Sequence, residues 1–309
     1  MDWMLVHFTV SGVDTWFFLP PLVAFVVSFF TSMGGVSGAF LLLPFQMSVL
    51  GYTSPSVSGT NQFFNVVAIP SGVYRFIREG RMVWPLTWAV IIGTLPGVFI
   101  GAWTRIVFLP DPKNFKLFAA VVLLYIGARL ANDVLKTDEG NAPMKVAVRS
   151  QIPDEIRVTN TKFTMKAVEY TFSGKTYAFS PWSVFLMCFA VGVVGGIYGV
   201  GGGAIIAPFF VALFKMPVYT VAGAALMGTF ITSVAGIVCY QVIGYFIQTP
   251  LNVAPDWFLG ALFGVGGFCG MYLGARCQKF MPALWIKMIL CTCLFSVAIK
   301  YIADFFLPS

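Results

Sequence analysis

The chain has 309 residues, 58% of them hydrophobic and 10% charged, with a net charge of +7 and a mean hydropathy of +0.85. A soluble domain carries about 25% charged residues, so a water-facing surface is excluded. The excess positive charge sits at loop edges, where it reads as a topology signal; no nucleic-acid-binding patch is expected.

In chain order, Asp2 and Asp14 come first, in the stretch where a cleavable signal would carry Lys or Arg. A first helix starting near Trp16 is therefore expected to be retained. Apolar segments follow at about 16–33, 38–50, 54–76, 83–108 and 115–135, and again at 182–198, 203–214, 217–246, 257–275 and 283–306. The longer ones approach the ~20 residues a helix needs to cross a hydrocarbon core, and none alternates as a barrel strand would. The expectation is an all-α polytopic membrane protein. Between the two sets lies a polar stretch, 136–180, holding Lys136, Lys145, Arg149, Arg157, Lys162, Lys166 and Lys175 among five acids. Phe163 to Phe179 approaches β alternation around Ser173-Gly174-Lys175. The chain thus divides into a first membrane repeat at 1–135, a small β-rich extramembrane insert at 136–180, and a second repeat at 181–309.

The repeat is visible in the letters. An offset of 164 residues carries Gly35, Val36, Gly38, Pro44, Phe45, Val57, Gly59 and Gly72 onto Gly199, Val200, Gly202, Pro208, Phe209, Val221, Gly223 and Gly236. Beyond a nine-residue insertion, Gly93, Gly97 and Gly101 meet Gly266, Gly270 and Gly274. Further on, Arg129 and Asp133 meet Lys300 and Asp304, each read as an i,i+4 pair at a membrane edge. The loop Arg75–Arg81 is basic and expected inside, whereas its counterpart near 246–256 holds only Asp256 and is expected outside. The insert, two crossings from the basic loop, is then cytoplasmic. This works if 16–50 and 182–214 are broken, re-entrant hairpins, leaving three crossings per repeat and inverting the second copy. Placing 105–116 outside despite Arg105, Lys113 and Lys116 runs against the charge rule.

Chemistry concentrates at two glycine clusters, Met33-Gly34-Gly35-Val36-Ser37-Gly38 and Gly199-Val200-Gly201-Gly202-Gly203. Glycine costs a helix about 1 kcal/mol relative to Ala, so these clusters predict unwound backbone. Such backbone survives at membrane depth only where protein or a water-filled cavity satisfies it. Free N–H groups at a half-helix N-terminus suit an anion; close helix packing is the alternative. For the glycines spaced by four, packing is the reading. The helices after the clusters offer Asn61, Gln62 and Asn65 in the first half, and Thr229, Thr232 and Ser233 in the second. Buried amides either tie helices together or line a site. The candidate substrate-binding set is therefore Gly34, Gly35, Ser37, Gly38, Asn61, Gln62, Asn65, Gly199, Gly201, Gly202, Gly203, Thr229 and Ser233.

No catalytic or metal set is expected, and no cofactor. His7 is the only histidine, and every Asp or Glu falls in a loop or at a helix end. The six cysteines show no CxxC spacing and read as small apolar fillers.

The run Gly199-Val-Gly-Gly-Gly-Ala-Ile-Ile-Ala-Pro208 resembles the glycine-rich signature of the TauE/SafE sulfite exporter family of membrane transporters. The resemblance covers the chain apart from the insert and the first fifteen residues or so. Ser37 and Ala39 stand where the second copy has Gly201 and Gly203. What the resemblance implies is movement of a small sulfur or organosulfur anion, such as sulfite or a sulfonate, across a cell (inner) membrane. H+ or Na+ are the coupling ions to consider, membrane lipids the surroundings, and a homodimer is left open. A passive anion channel and a membrane scaffold or sensor using the insert are the competing readings.

Overall fold

The computed structural model describes residues 4–33, 36–78, 80, 82–135, 159–163, 168–172, 175–214, 216, 218–246, 252–277 and 283–306. Their helices are α1 (Leu19–Met33), α2 (Ala39–Ser48), α3 (Ser56–Arg78), α4 (Trp84–Val107), α5 (Pro112–Leu135), α6 (Pro181–Tyr198), α7 (Gly203–Phe214), α8 (Val218–Phe246), α9 (Trp257–Cys277) and α10 (Ala283–Phe306). The strands are β1 (Leu5–Phe8), β2 (Val13–Trp16), β3 (Thr159–Phe163), β4 (Val168–Phe172) and β5 (Lys175–Phe179). Among the described residues, α4, α5, α6, α8 and α9 contain stretches long and apolar enough to cross a membrane.

The N-terminal stretch departs from expectation. The first helix starts at Leu19, and Trp16 ends an antiparallel hairpin that pairs Leu5 with Trp16 and Phe8 with Val13. Gly12, at φ +68°, turns the chain, and Val13 and Thr15 point inward while Asp14 and Trp16 point out. The hairpin caps one end of the bundle: the Ser11 hydroxyl and N–H both donate to Asp256, and Asn252 donates to the Val10 carbonyl. At the opposite end β3, β4 and β5 form an antiparallel sheet. Phe179 and Tyr177 of β5 pack with Val83, Val184 and Met216. All of 136–158 lies outside the described residues.

Helix pairing is reciprocal between the two halves. α1 packs along α9 and α6 along α4; α3 packs on α9 and α8 on α4; α3 meets α8, and α5 meets α10. The four-spaced glycines make the first pairs possible. A β-carbon on Gly93 would stand 2.6 Å from that of Cys188, and those on Gly266, Gly270 and Gly274 would run into the Pro21, Phe25 and Phe29 carbonyls. These rows bring backbones into contact, as small residues do in lipid. α1 begins at the hairpin end, where Phe17 meets Phe258. The chain after α2 returns to that end, where Tyr52 bonds Ser56 and Thr60, and Thr60 accepts from the Asp256 N–H. α6 and α7 likewise begin and end at the sheet end, through Val184 and Met216.

Two expected details are corrected. Asp304 pairs with Lys116 of α5 at 3.5 Å, not with Lys300 one turn before it, because α10 faces α5 across the bundle. The side chain of Asp133 lies outside the described residues, so the Arg129–Asp133 pair does too. Of the cysteines, Cys188, Cys239 and Cys291 are buried, but Cys269 and Cys293 are exposed on outward helix faces.

Candidate functional site

At the middle of the bundle α3 and α8 cross, and the two linkers, of which 36–38 and 199–202 are described, are seated against them. Gly34 and Gly35 lie outside the described residues; Val36 and Ser37 are not helical, and neither are Gly199–Gly202. Gly199 and Gly201 take φ of +78° and +77°, which disfavours any residue with a β-carbon. Space forbids one as well: at Gly199 it would stand 2.5 Å from the Ser58 Cα, at Gly201 2.8 Å from the Ser233 Oγ.

Unwound backbone in an apolar interior must find partners. Asn61 and Asn65, one turn apart on α3, supply them. Asn61 Nδ2 donates to the Ala39 carbonyl at 2.9 Å and to the Gly199 carbonyl at 3.0 Å. Asn65 Nδ2 donates to the Val200 carbonyl at 2.8 Å and to Ser233 Oγ at 3.2 Å. Their oxygens are engaged too: Ser37 Oγ donates to Asn65 Oδ1 at 2.5 Å, and Gln46 Nε2 to Asn61 Oδ1 at 3.4 Å. Asn65 thus joins both linkers to α8, and all these side chains are fully buried.

Several N–H groups of the second linker are also occupied. Gly199 and Val200 donate to the Gly195 carbonyl, and Gly202 donates to Thr232 Oγ1 at 3.2 Å. The Gly201 N–H has no partner among the described residues. Thr229 turns its hydroxyl back to the Ala225 carbonyl at 2.8 Å while its backbone abuts Gly203. The structure therefore gathers Ser37, Asn61, Asn65, Gly199, Gly201, Gly202, Gly203, Thr229 and Ser233 into one cluster. Gly38 stands apart, at the N-terminus of α2 against Ser28 and Thr31 of α1.

Gln62 differs from its neighbours. It is fully buried, it fills the notch left by Gly236 on α8, and neither its Oε1 nor its Nε2 has a partner among the described residues. An unpaired buried amide costs about 1–3 kcal/mol per polar group, so Gln62, with both amide atoms unpartnered, has capacity to spare; Gln46 Oε1 is unpartnered too. One turn toward the hairpin end, Ser58 lies beside the Tyr240 hydroxyl, which donates to the Gly196 carbonyl at 3.2 Å. Beyond Tyr240 stands Arg105, in the last turn of α4 and fully buried. The sequence reading set Arg105 near the outer end of the 83–108 segment, as a charge at a membrane edge; the structure keeps it in the last turn of α4 and turns it inward. Arg105 and Tyr240 were both missed. A lone Arg in an otherwise apolar helix was the available signal for the first.

A model of the family described as "Sulfite exporter TauE/SafE" matches residues 21–301. The chain belongs to the TauE/SafE family. It is accordingly a membrane transporter of the TauE/SafE type, crossing the membrane several times. The probable membrane transporter protein YunE of Bacillus subtilis (strain 168) is 22% identical over 268 residues, which cover 84% of this chain and 87% of that protein. The probable membrane transporter protein YdhB of the same organism is 28% identical over 126 residues, 40% of this chain and 47% of that protein. No solved structure matches the chain. The matched span includes both linkers and the whole α3–α8 crossing.

Proposed function

We propose that this TauE/SafE protein is a secondary carrier of a small sulfur oxyanion, such as sulfite or a sulfonate, in a cell (inner) membrane. The observation that carries the reading is Gln62, an amide with two unpartnered atoms beside two unwound linkers in an apolar interior. A group left unsatisfied there is stabilised when a polar ligand arrives. The reciprocal helix pairing supports two inverted repeats, with α1–α2 and α6–α7 as re-entrant hairpins that meet at the α3–α8 crossing. Seen so, Asn61 and Asn65 hold the linkers in register, and Gln62, Ser233 and the Gly201 N–H are the groups that face a substrate. The sheet formed by β3–β5 sits at the end expected to be cytoplasmic.

Uptake of radiolabelled sulfite into proteoliposomes tests the proposal. A carrier gives saturable uptake and counterflow against preloaded sulfite or methanesulfonate. Conductance without saturation or counterflow would identify a channel instead, and no flux of any oxyanion would remove the substrate class.

A further inference from the structure

Among the described residues, Arg105 carries the largest fully buried side chain, and its charge has no acidic partner. Nη1 donates to the Leu109 carbonyl, just past the end of α4. One face of the guanidinium lies over the Phe115 ring, 3.8 Å from its centroid. These two contacts fix the plane and hold one nitrogen. Nε and Nη2 have no hydrogen-bond partner among the described residues. They are the two nitrogens whose N–H bonds run parallel along one edge, the fork that takes an oxyanion bidentately.

The surroundings say which oxyanion can reach this edge. Trp103 and Val107, the neighbours of Arg105 on α4, are exposed on the outer face, whereas Ala102, Arg105 and Ile106 are buried. The guanidinium therefore faces the interior, beside Tyr240, turned away from the outer face of α4. Tyr240 leads to Ser58 and then to Gln62, on successive turns of α8 and α3. An unpaired buried cation costs several kcal/mol, and capping the Leu109 carbonyl uses only Nη1 of the guanidinium.

We propose that Arg105 is the charge-recognition residue for the transported oxyanion, binding two of its oxygens through Nε and Nη2 at the hairpin end of the polar column that leads to Gln62. This deepens the carrier reading above and rests on it.

The test uses the full chain in detergent and in proteoliposomes, with sulfite and methanesulfonate as probes and chloride as control. Wild-type protein should show a saturable rise in unfolding temperature with both oxyanions and none with chloride. In Arg105→Gln the half-saturating concentration should rise at least tenfold. Arg105→Lys keeps the charge without the fork and should raise KM for uptake several-fold with kcat nearly kept. A purely structural arginine would instead lower the amount of active protein and leave KM alone. If neither variant folds, Tyr240→Phe beside the same guanidinium decides: a roughly threefold shift in half-saturation supports the site, and no shift overturns it. Folded Arg105 variants with wild-type half-saturation overturn the assignment while saturable wild-type uptake leaves the carrier standing. Wild-type protein that neither binds nor carries either oxyanion overturns both.

Discussion

The two halves of the α3–α8 crossing share a geometry and differ in chemistry. In each, a side chain of one helix fills a glycine notch on the other: Gln62 against Gly236 toward the hairpin end, and Leu226 against Gly72, 3.5 Å from where a β-carbon would be, toward the sheet end. The 164-residue offset relates these pairs, and it also sets Ser58 against Ala222 and Tyr240 against Phe76. The sheet-end half is closed by Phe76, Ala222 and Leu226, all buried in one apolar cluster. The hairpin-end half carries a hydroxyl, a phenol and an amide at the matching positions, with Arg105 beyond. One half is therefore built as a seal and the other as a polar column. On the carrier proposal, this is the asymmetry of a protein with one side shut, because an apolar plug excludes ions while a polar lining lowers the cost of their entry.

Four substitutions break or sharpen that contrast, in order of expected effect on stability. Gly199→Val attacks both halves at once, through left-handed backbone and overlap with Ser58, and should cost about 2–5 kcal/mol. Thermal unfolding in detergent checks it; an unchanged midpoint would mean the linker is not seated on α3. This qualifies any use of Gly202→Val as a probe of ligand contact, since a β-carbon there would sit 2.7 Å from that of Thr94. Loss of transport in such a variant would report packing first.

Asn65→Leu comes next, at about 2–4 kcal/mol, because it strands the Val200 carbonyl together with Ser37 and Ser233. The same unfolding measurement reads it, and a neutral result would show that the linkers find other partners.

Gln62→Leu makes the polar half resemble its counterpart. It should stabilise the protein by about 1 kcal/mol, by removing an unsatisfied amide, and lower sulfite uptake at least tenfold. Stability and activity move in opposite directions here. A variant that transports like wild type would end the contrast between seal and column.

Asp304→Asn should do least. Its partner Lys116 and Asp304 itself are 24% and 41% exposed, so the pair is worth under about 1 kcal/mol. Uptake measured against pH should match wild type. A folded variant that transports but has lost proton coupling would give Asp304 a role in coupling.

Much of this was legible in one dimension. Hydropathy placed all ten described helices within a few residues, because the length of an apolar run and its breaks are local properties. The glycine clusters announced unwound segments for the same reason, since helix propensity is a cost each residue bears by itself. The β1–β2 hairpin was missed: two four-residue strands with polar residues between them leave a signal too short to separate from a loop. Asn61 and Asn65 were recognised as buried amides, but the sequence left open whether they would bind a ligand or the chain itself.

That question was decided by the fold, which sets the carbonyls of Gly199 and Val200 against α3 from more than a hundred residues away and so occupies both amides. The same holds for Gln62, which is identical in type to any surface glutamine until α8 presents Gly236 to it. Arg105 is the clearest case. Its place near the end of an apolar run reads as a charge at a membrane edge. Only the packing of α4 against α6 and α8, with Phe115 folded over it, turns it inward and leaves its bidentate edge unpaired. Composition and propensity are summed along the chain, so the sequence determined that this is a helical membrane protein with two broken segments. Burial and partnership depend on what distant segments bring to a side chain, so the tertiary structure alone decided which polar groups are spent on the fold and which remain unpaired.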